Sequence, residues 1–263
     1  MSNVNPIGFF DSGVGGTSIW KEVKSLLPGE NTIYLADSAN APYGEKPSEM
    51  IIALSVKNTE KLLEMDCKLI VVACNTATTN AISHLRDTYP VSFIGIEPAI
   101  KPAALSSQTK VIGILATRGT LSSQLFYKTS ELYARDIKII EVEGKGLVKL
   151  IEEGKYRSGE IRELLLQLLA PMIEARIDYL VLGCSHYPYL LPVLKSLLPP
   201  EVTIIDSGEA VARQTKKILE EKDLLNATPA QPQHRFYTNV EPGVLKELTE
   251  AERFGYEVSY LRF

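Results

Sequence analysis

Short apolar runs alternate with longer stretches of mixed character along most of the chain. The plainest is Leu69-Ile70-Val71-Val72. An unbroken run rich in β-branched residues reads as a strand buried on both faces, the kind a parallel sheet makes. Comparable runs at 6–10, 32–36, 91–96, 110–115, 137–142, 178–183 and 202–205 read as further strands. Helices are predicted between them: one ending at Leu27, then 48–65, 78–85, 121–133, 158–175 and 191–198. The segment 144–154 carries Leu147, Val148, Leu150 and Ile151 ahead of Glu152 and Glu153. A regular alternation of strand and helix predicts an α/β fold with mainly parallel sheets.

After residue 96 the pattern begins again. Asp11-Ser12-Gly13 is echoed by Asp206-Ser207-Gly208, and one strand in each half ends in a cysteine. This predicts two similar α/β domains, 1–96 plus 210–263 and 97–209, with an active site in the cleft between them. The tail from 227 on starts with prolines, then offers a strand at 235–238, a helix and a last strand. It is read as an addition to the first domain.

Polar residues cluster where strands stop, the edge at which open α/β sheets bind ligands. The first strand runs into Asp11-Ser12-Gly13-Val14-Gly15-Gly16-Thr17. The dinucleotide pattern G-x-G-x-x-G is not met, because Ser18 stands where its third glycine belongs, and no G-K-[ST] phosphate loop exists. Two readings remain: a cradle of backbone N–H groups for a carboxylate, or a tight turn with Asp11 as helix cap. The second strand ends in a loop, 37–47, shaped by Pro42, Gly44 and Pro47. Cys74 follows the third strand and leads into Asn75-Thr76-Ala77. Cys184 follows its own strand and leads into Ser185-His186-Tyr187-Pro188. Cys67 has no polar companions and is read as structural.

Composition narrows the field. The chain has 263 residues, 45% hydrophobic and 23% charged, with a net charge of −4 and no basic block. That describes a globular protein and argues against a nucleic-acid partner. No apolar run reaches the roughly 18 residues of a membrane span, and no signal peptide opens the sequence. Three cysteines do not make a disulfide framework. The expectation is a cytoplasmic protein with reduced thiols.

Two thiols facing one small ligand suggest a specific chemistry. An ordinary cysteine has a pKa of about 8.5 and needs modest help to work near neutral pH. A thiolate on one face of a carbon removes its proton, and a thiol on the other face returns one, giving the mirror image. Asp11 is a candidate helper on one side, and His186 with Glu152 on the other. Asn75, Thr76, Ser185 and the backbone after each cysteine can bind a carboxylate. No lysine stands in an obvious cofactor context, so pyridoxal phosphate is not required.

Four blocks together resemble bacterial glutamate racemases of the cofactor-independent aspartate/glutamate racemase superfamily. They are Asp11-Ser12-Gly13-Val14-Gly15-Gly16, Ala41-Pro42-Tyr43-Gly44, Ala73-Cys74-Asn75-Thr76-Ala77 and Gly183-Cys184-Ser185-His186-Tyr187-Pro188. The resemblance implies racemisation of L- and D-glutamate without metal or cofactor, with Cys74 and Cys184 as the acid/base pair. Asp11, His186 and Glu152 assist, and Ser12, Tyr43, Gly44, Asn75, Thr76 and Ser185, with Asp11 and His186, bind glutamate. It implies that Cys74 serves D-glutamate and Cys184 L-glutamate, that the product supplies peptidoglycan, and that the chain forms a homodimer. The sequence departs from the family at Ala36-Asp37-Ser38-Ala39-Asn40, where Gly-Asp-Thr-Ala-Arg is common, and at Thr78 and Ser185. Rival readings are an aspartate racemase, a thiol hydrolase using Cys184 and His186, a zinc site and a non-enzymatic binding protein. Zinc is disfavoured because no cysteine or histidine pair has the short spacing of structural sites.

Overall fold

The computed structural model describes residues 3–133, 136–226 and 231–263. The opening of the tail, 227–230, lies outside them. Ten strands and twelve α-helices follow one another in these residues. The order begins β1 (Ile7–Asp11), α1 (Thr17–Leu26), β2 (Thr32–Ala36), α2 (Ser48–Glu64), β3 (Leu69–Val72), α3 (Asn75–Thr88), β4 (Ser92–Gly95) and α4 (Ile100–Ser106). It continues with β5 (Val111–Ala116), α5 (Arg118–Leu121), α6 (Gln124–Tyr133), β6 (Lys138–Glu143), α7 (Leu147–Glu152), α8 (Gly159–Glu174), β7 (Tyr179–Gly183), α9 (Leu191–Leu197) and β8 (Thr203–Ile205). It ends with α10 (Gly208–Glu221), β9 (His234–Thr238), α11 (Gly243–Thr249), α12 (Ala251–Phe254) and β10 (Glu257–Tyr260).

The strands form two sheets, ordered β10-β9-β2-β1-β3-β4 and β6-β5-β7-β8. Every strand pair is parallel. Parallel pairing needs both faces covered, which explains why Ile7, Phe9, Phe10, Leu69, Ile70, Val71 and Val72 have no exposed surface. Within the larger sheet β2-β1-β3-β4 has the same order as β6-β5-β7-β8, so the two halves do repeat one topology. The tripeptide echo marks the wrong strand, however. Asp11 ends β1, whose counterpart is β5, while Asp206 follows β8 and accepts a hydrogen bond from the Gly208 N–H at the head of α10.

The tail strands extend the larger sheet beyond β2. Trp20 of α1 is the pin: it is buried, meets Phe236, His234 and Tyr256 edge-on, and donates its indole N–H to Thr32. Such edge contacts hold the added strands through aromatic area as well as the ladder.

Two local expectations change, and one stretch left without an element gains one. The stretch 37–47, read as loop, contains two single 3₁₀ turns at Ser38–Asn40 and Tyr43–Glu45. The helix expected over 121–133 starts three residues later, as α6, because the Ser123 hydroxyl accepts the Phe126 N–H at its head, and the separate short helix α5 precedes it. The apolar stretch after Gly146 is the short helix α7, and Glu152 is its last residue. No helix among the described residues is long and apolar enough to cross a membrane.

Cys67 precedes β3, buried against Gly8 and Leu62, and burial pushes its thiol up to about 12. A thiol so held is inert. Cys67→Ala therefore keeps near-normal turnover and loses roughly 1–2 kcal/mol of stability from the small void, measured by urea unfolding.

Candidate active site

Register brings the site together. Phe10 pairs with Val72 and Asp11 with Ala36, so Asp11, Asp37 and Cys74 leave the larger sheet at one edge. In the smaller sheet Ala116 pairs with both Glu143 and Gly183, so Thr117, Gly144 and Cys184 leave together. Between the two edges lies a narrow pocket lined by Ser12, Gly44, Cys74, Asn75, Cys184 and His186, with Pro42, Tyr43, Thr76, Thr117, Val148 and Ser185 around them.

Cys74 takes extended dihedrals as the N-cap of α3, and its sulfur accepts the Ala77 N–H at 3.4 Å. The thiol is pushed well above the usual cysteine value, first by burial and then by the charge of Asp11. Asp11 is fully buried and accepts the Gly16 N–H at 2.8 Å and the Ser185 hydroxyl at 3.3 Å. Burial raises its carboxyl too, against the opposing pull of His186, of the Gly16 N–H and of the Cys74 thiol. The first thiol and its neighbouring carboxylate are thus both displaced toward the protonated form.

The other side is built differently. Cys184 Sγ lies 3.8 Å from His186 Nδ1, and His186 Nε2 donates to Glu152 Oε1 at 2.6 Å. Burial works against a charged imidazole, yet Cys184, Glu152 and Asp11 around the ring outweigh it, and His186 is raised well above the usual histidine value. A doubly protonated ring directs one N–H at Glu152 and the other toward Cys184. Glu152 also accepts the Val14 N–H at 2.7 Å and the Ser38 hydroxyl at 2.7 Å.

The glycine turn settles between its two readings. It does hold carboxylates with backbone N–H groups, but they are the protein's own: Val14 N–H on Glu152 and Gly16 N–H on Asp11. A Cβ at Gly13 would lie 2.0 Å from Glu152 Oε1, and one at Gly15 would lie 2.1 Å from His186 Nδ1. No side chain fits either place, which is why the turn is glycine there. Asp11 does not cap α1: the N-cap position is Gly16, with no side-chain cap.

Asn75 is 2% exposed, and its amide nitrogen and oxygen have no hydrogen-bond partner among the described residues. A buried amide left unpaired is costly, so this pair suits a polar ligand at the head of α3. Thr76 is engaged by Thr117 at 2.7 Å. Tyr43 lines the pocket beside Pro42 and Gly44, and its hydroxyl donates to Asp37 at 2.5 Å and accepts from Asn58 at 3.0 Å, which fixes this wall. The sequence reading missed Thr117, Val148 and Ser38. Thr117 was within reach of the rule that found the cysteines, since it too directly follows a central strand.

The Asp/Glu/Hydantoin racemase family model matches residues 17–215. A glutamate racemase of Cupriavidus pinatubonensis is 46% identical over 253 residues, 95% of this chain and 93% of that protein. Among solved structures, the Escherichia coli glutamate racemase in complex with L-glutamate and the activator UDP-MurNAc-Ala superposes with a TM-score of 0.86 at 32% identity, covering 97% of both chains. The Francisella tularensis glutamate racemase in complex with D-glutamate gives 0.84 at 27% identity over 98% of both.

Proposed function

The chain belongs to the Asp/Glu/Hydantoin racemase family, and from that premise we propose that it interconverts L- and D-glutamate by a two-base mechanism on Cys74 and Cys184. The observation that carries this reading is the pairing of two thiols on one buried cavity, each with a separate proton partner.

The Cys184 thiolate, held by the His186 imidazolium, takes the Cα proton of L-glutamate. The Cys74 thiol delivers its proton to the opposite face, and D-glutamate results. In reverse, Cys74 first passes its proton to Asp11, takes the Cα proton of D-glutamate, and Cys184 returns a proton drawn from His186. Proton count is conserved along both routes. Substrate and product have equal free energy, so the enzyme must run both ways, and two like residues achieve that. The carbanion formed at Cα delocalises into the α-carboxylate. Asn75, Ser185 and the backbone N–H groups heading α3 stabilise that charge where it develops. Ser12, Thr76 and the Pro42–Gly44 wall hold the remainder of glutamate. The two domains are 1–96 plus 210–263 and 97–209, and the enzyme works as a cytoplasmic homodimer supplying D-glutamate to peptidoglycan.

The reaction needs neither metal nor pyridoxal phosphate. Protein dialysed against chelator is expected to abolish the circular dichroism of L-glutamate at an unchanged rate. An absorbance band of bound pyridoxal phosphate that tracks activity would contradict this. Turnover of aspartate as fast as glutamate would overturn the substrate assignment. One observation favours a second reading: Cys184, His186 and Glu152 form a thiol–imidazole–carboxylate chain, the arrangement of a thiol hydrolase. That reading leaves Cys74 and Asn75 without a task, and a covalent acyl-enzyme seen by mass spectrometry would decide for it.

A further inference from the structure

Glu152 is the point at which the two sheets meet chemically. It ends α7, which follows β6 of the smaller sheet, yet two of its hydrogen-bond donors come from the larger one. Ser38 lies in the turn after β2 and puts its hydroxyl 2.7 Å from Oε2. The Val14 N–H in the turn after β1 lies 2.7 Å from Oε1, the oxygen that also receives His186 Nε2 at 2.6 Å. Ser38 is half-buried, and its own turn is tied down: the Ala39 N–H donates to Asn239 at 2.8 Å, and Asn239 donates to the buried Asp37. The hydroxyl is thus held by β2 and β9, outside the half that carries Cys184.

We propose that Ser38 is a positioning residue that acts through Glu152 and His186 chiefly on one thiol, Cys184. A carboxylate with a single strong partner can rotate about its terminal torsion, which is broad and soft. Here Val14 grips one oxygen and Ser38 the other, so the carboxylate plane is fixed, and with it the ring that directs Nδ1 at Cys184. No hydrogen bond runs from Ser38 or Glu152 to Cys74, whose contacts are Ala77 and the Asp11 side of the cavity. His186 Nδ1 also lies 3.8 Å from Asp11 Oδ2, beyond hydrogen-bond reach, so a change at Ser38 bears first on the Cys184 face and only weakly on the Cys74 face.

The proposal rests on the two-thiol reading above, and its test separates the two. For a racemase, kcat/KM must stay equal in both directions because the enantiomers have equal free energy. The informative readout is the primary isotope effect with Cα-deuterated substrate, taken separately for each enantiomer. In Ser38→Ala, kcat is expected to fall about tenfold, the loss of one hydrogen bond to a charged group. The isotope effect should rise with the same enantiomer for which Cys184→Ser raises it, and rise clearly less with the other. Ser38→Thr, which keeps the hydroxyl, should restore both quantities. In Glu152→Gln the further change Ser38→Ala should add little, since the two residues act in one chain. Isotope effects in Ser38→Ala that match wild type, or rise equally for both enantiomers, overturn the positioning role. A wild-type protein that racemises nothing overturns the functional reading instead.

Discussion

Replacing Cys74 by Ser is expected to lower turnover about 10²–10⁴-fold, the usual worth of a placed acid/base group, while the protein stays folded. An alcohol is far less acidic than a thiol, and position 74 already holds its thiol well above the ordinary range because it is buried beside Asp11. Removal of the Cα proton from D-glutamate then becomes the slowest step. Substrate deuterated at Cα should show a larger isotope effect from D to L than from L to D. In Cys184→Ser the asymmetry should invert, since the proposed mechanism sets Cys184 against the hydrogen of L-glutamate. Stopped-flow or direct circular dichroism assays with both deuterated enantiomers read this out. The same pattern in both variants, or the opposite one, means that the two faces are wrongly assigned.

Asp11→Asn should cost about 10²-fold or more in kcat, with little change in melting temperature. The amide keeps the shape of the carboxylate but cannot take the proton that Cys74 must release. It also turns a donor toward groups that now donate to Asp11, namely the Gly16 N–H and the Ser185 hydroxyl. The loss should weigh on the Cys74 side, so the isotope effect should grow with D-glutamate. Asp206→Asn is the control. That residue accepts the Gly208 N–H at the head of α10 and lies after β8, away from the counterpart of β1. Its turnover should stay within about twofold of wild type, that hydrogen bond being worth on the order of 1 kcal/mol of stability alone. Equal losses in the two variants would mean that the repeat between the halves has been misread.

The elements that position the thiols are legible because their signals are local. An unbroken apolar run such as Leu69–Val72 admits few readings, and the residue after it must emerge at the sheet edge. That rule places Cys74 and Cys184 without knowledge of the rest. Less legible are contacts made between residues far apart in sequence. Ser38 and Glu152 are separated by more than a hundred positions, and nothing near either one announces the other. Tyr43 shows a second limit. A tyrosine in a loop past a strand end reads as a ligand contact, and Tyr43 does line the pocket, but the pattern cannot say that Asp37 and Asn58 hold its hydroxyl. The Asp206 echo misleads for a related reason: a short polar tripeptide serves as readily to cap a helix as to serve a site.

The central claim is that two opposed cysteines exchange the Cα proton of glutamate with solvent. The most direct measurement follows the Cα-proton signal of L-glutamate by NMR in heavy water, with pure protein and no added cofactor. The account predicts that the signal decays together with the optical activity, and that D-glutamate behaves in the same way. A signal that persists undiminished with either enantiomer at high protein concentration would contradict it.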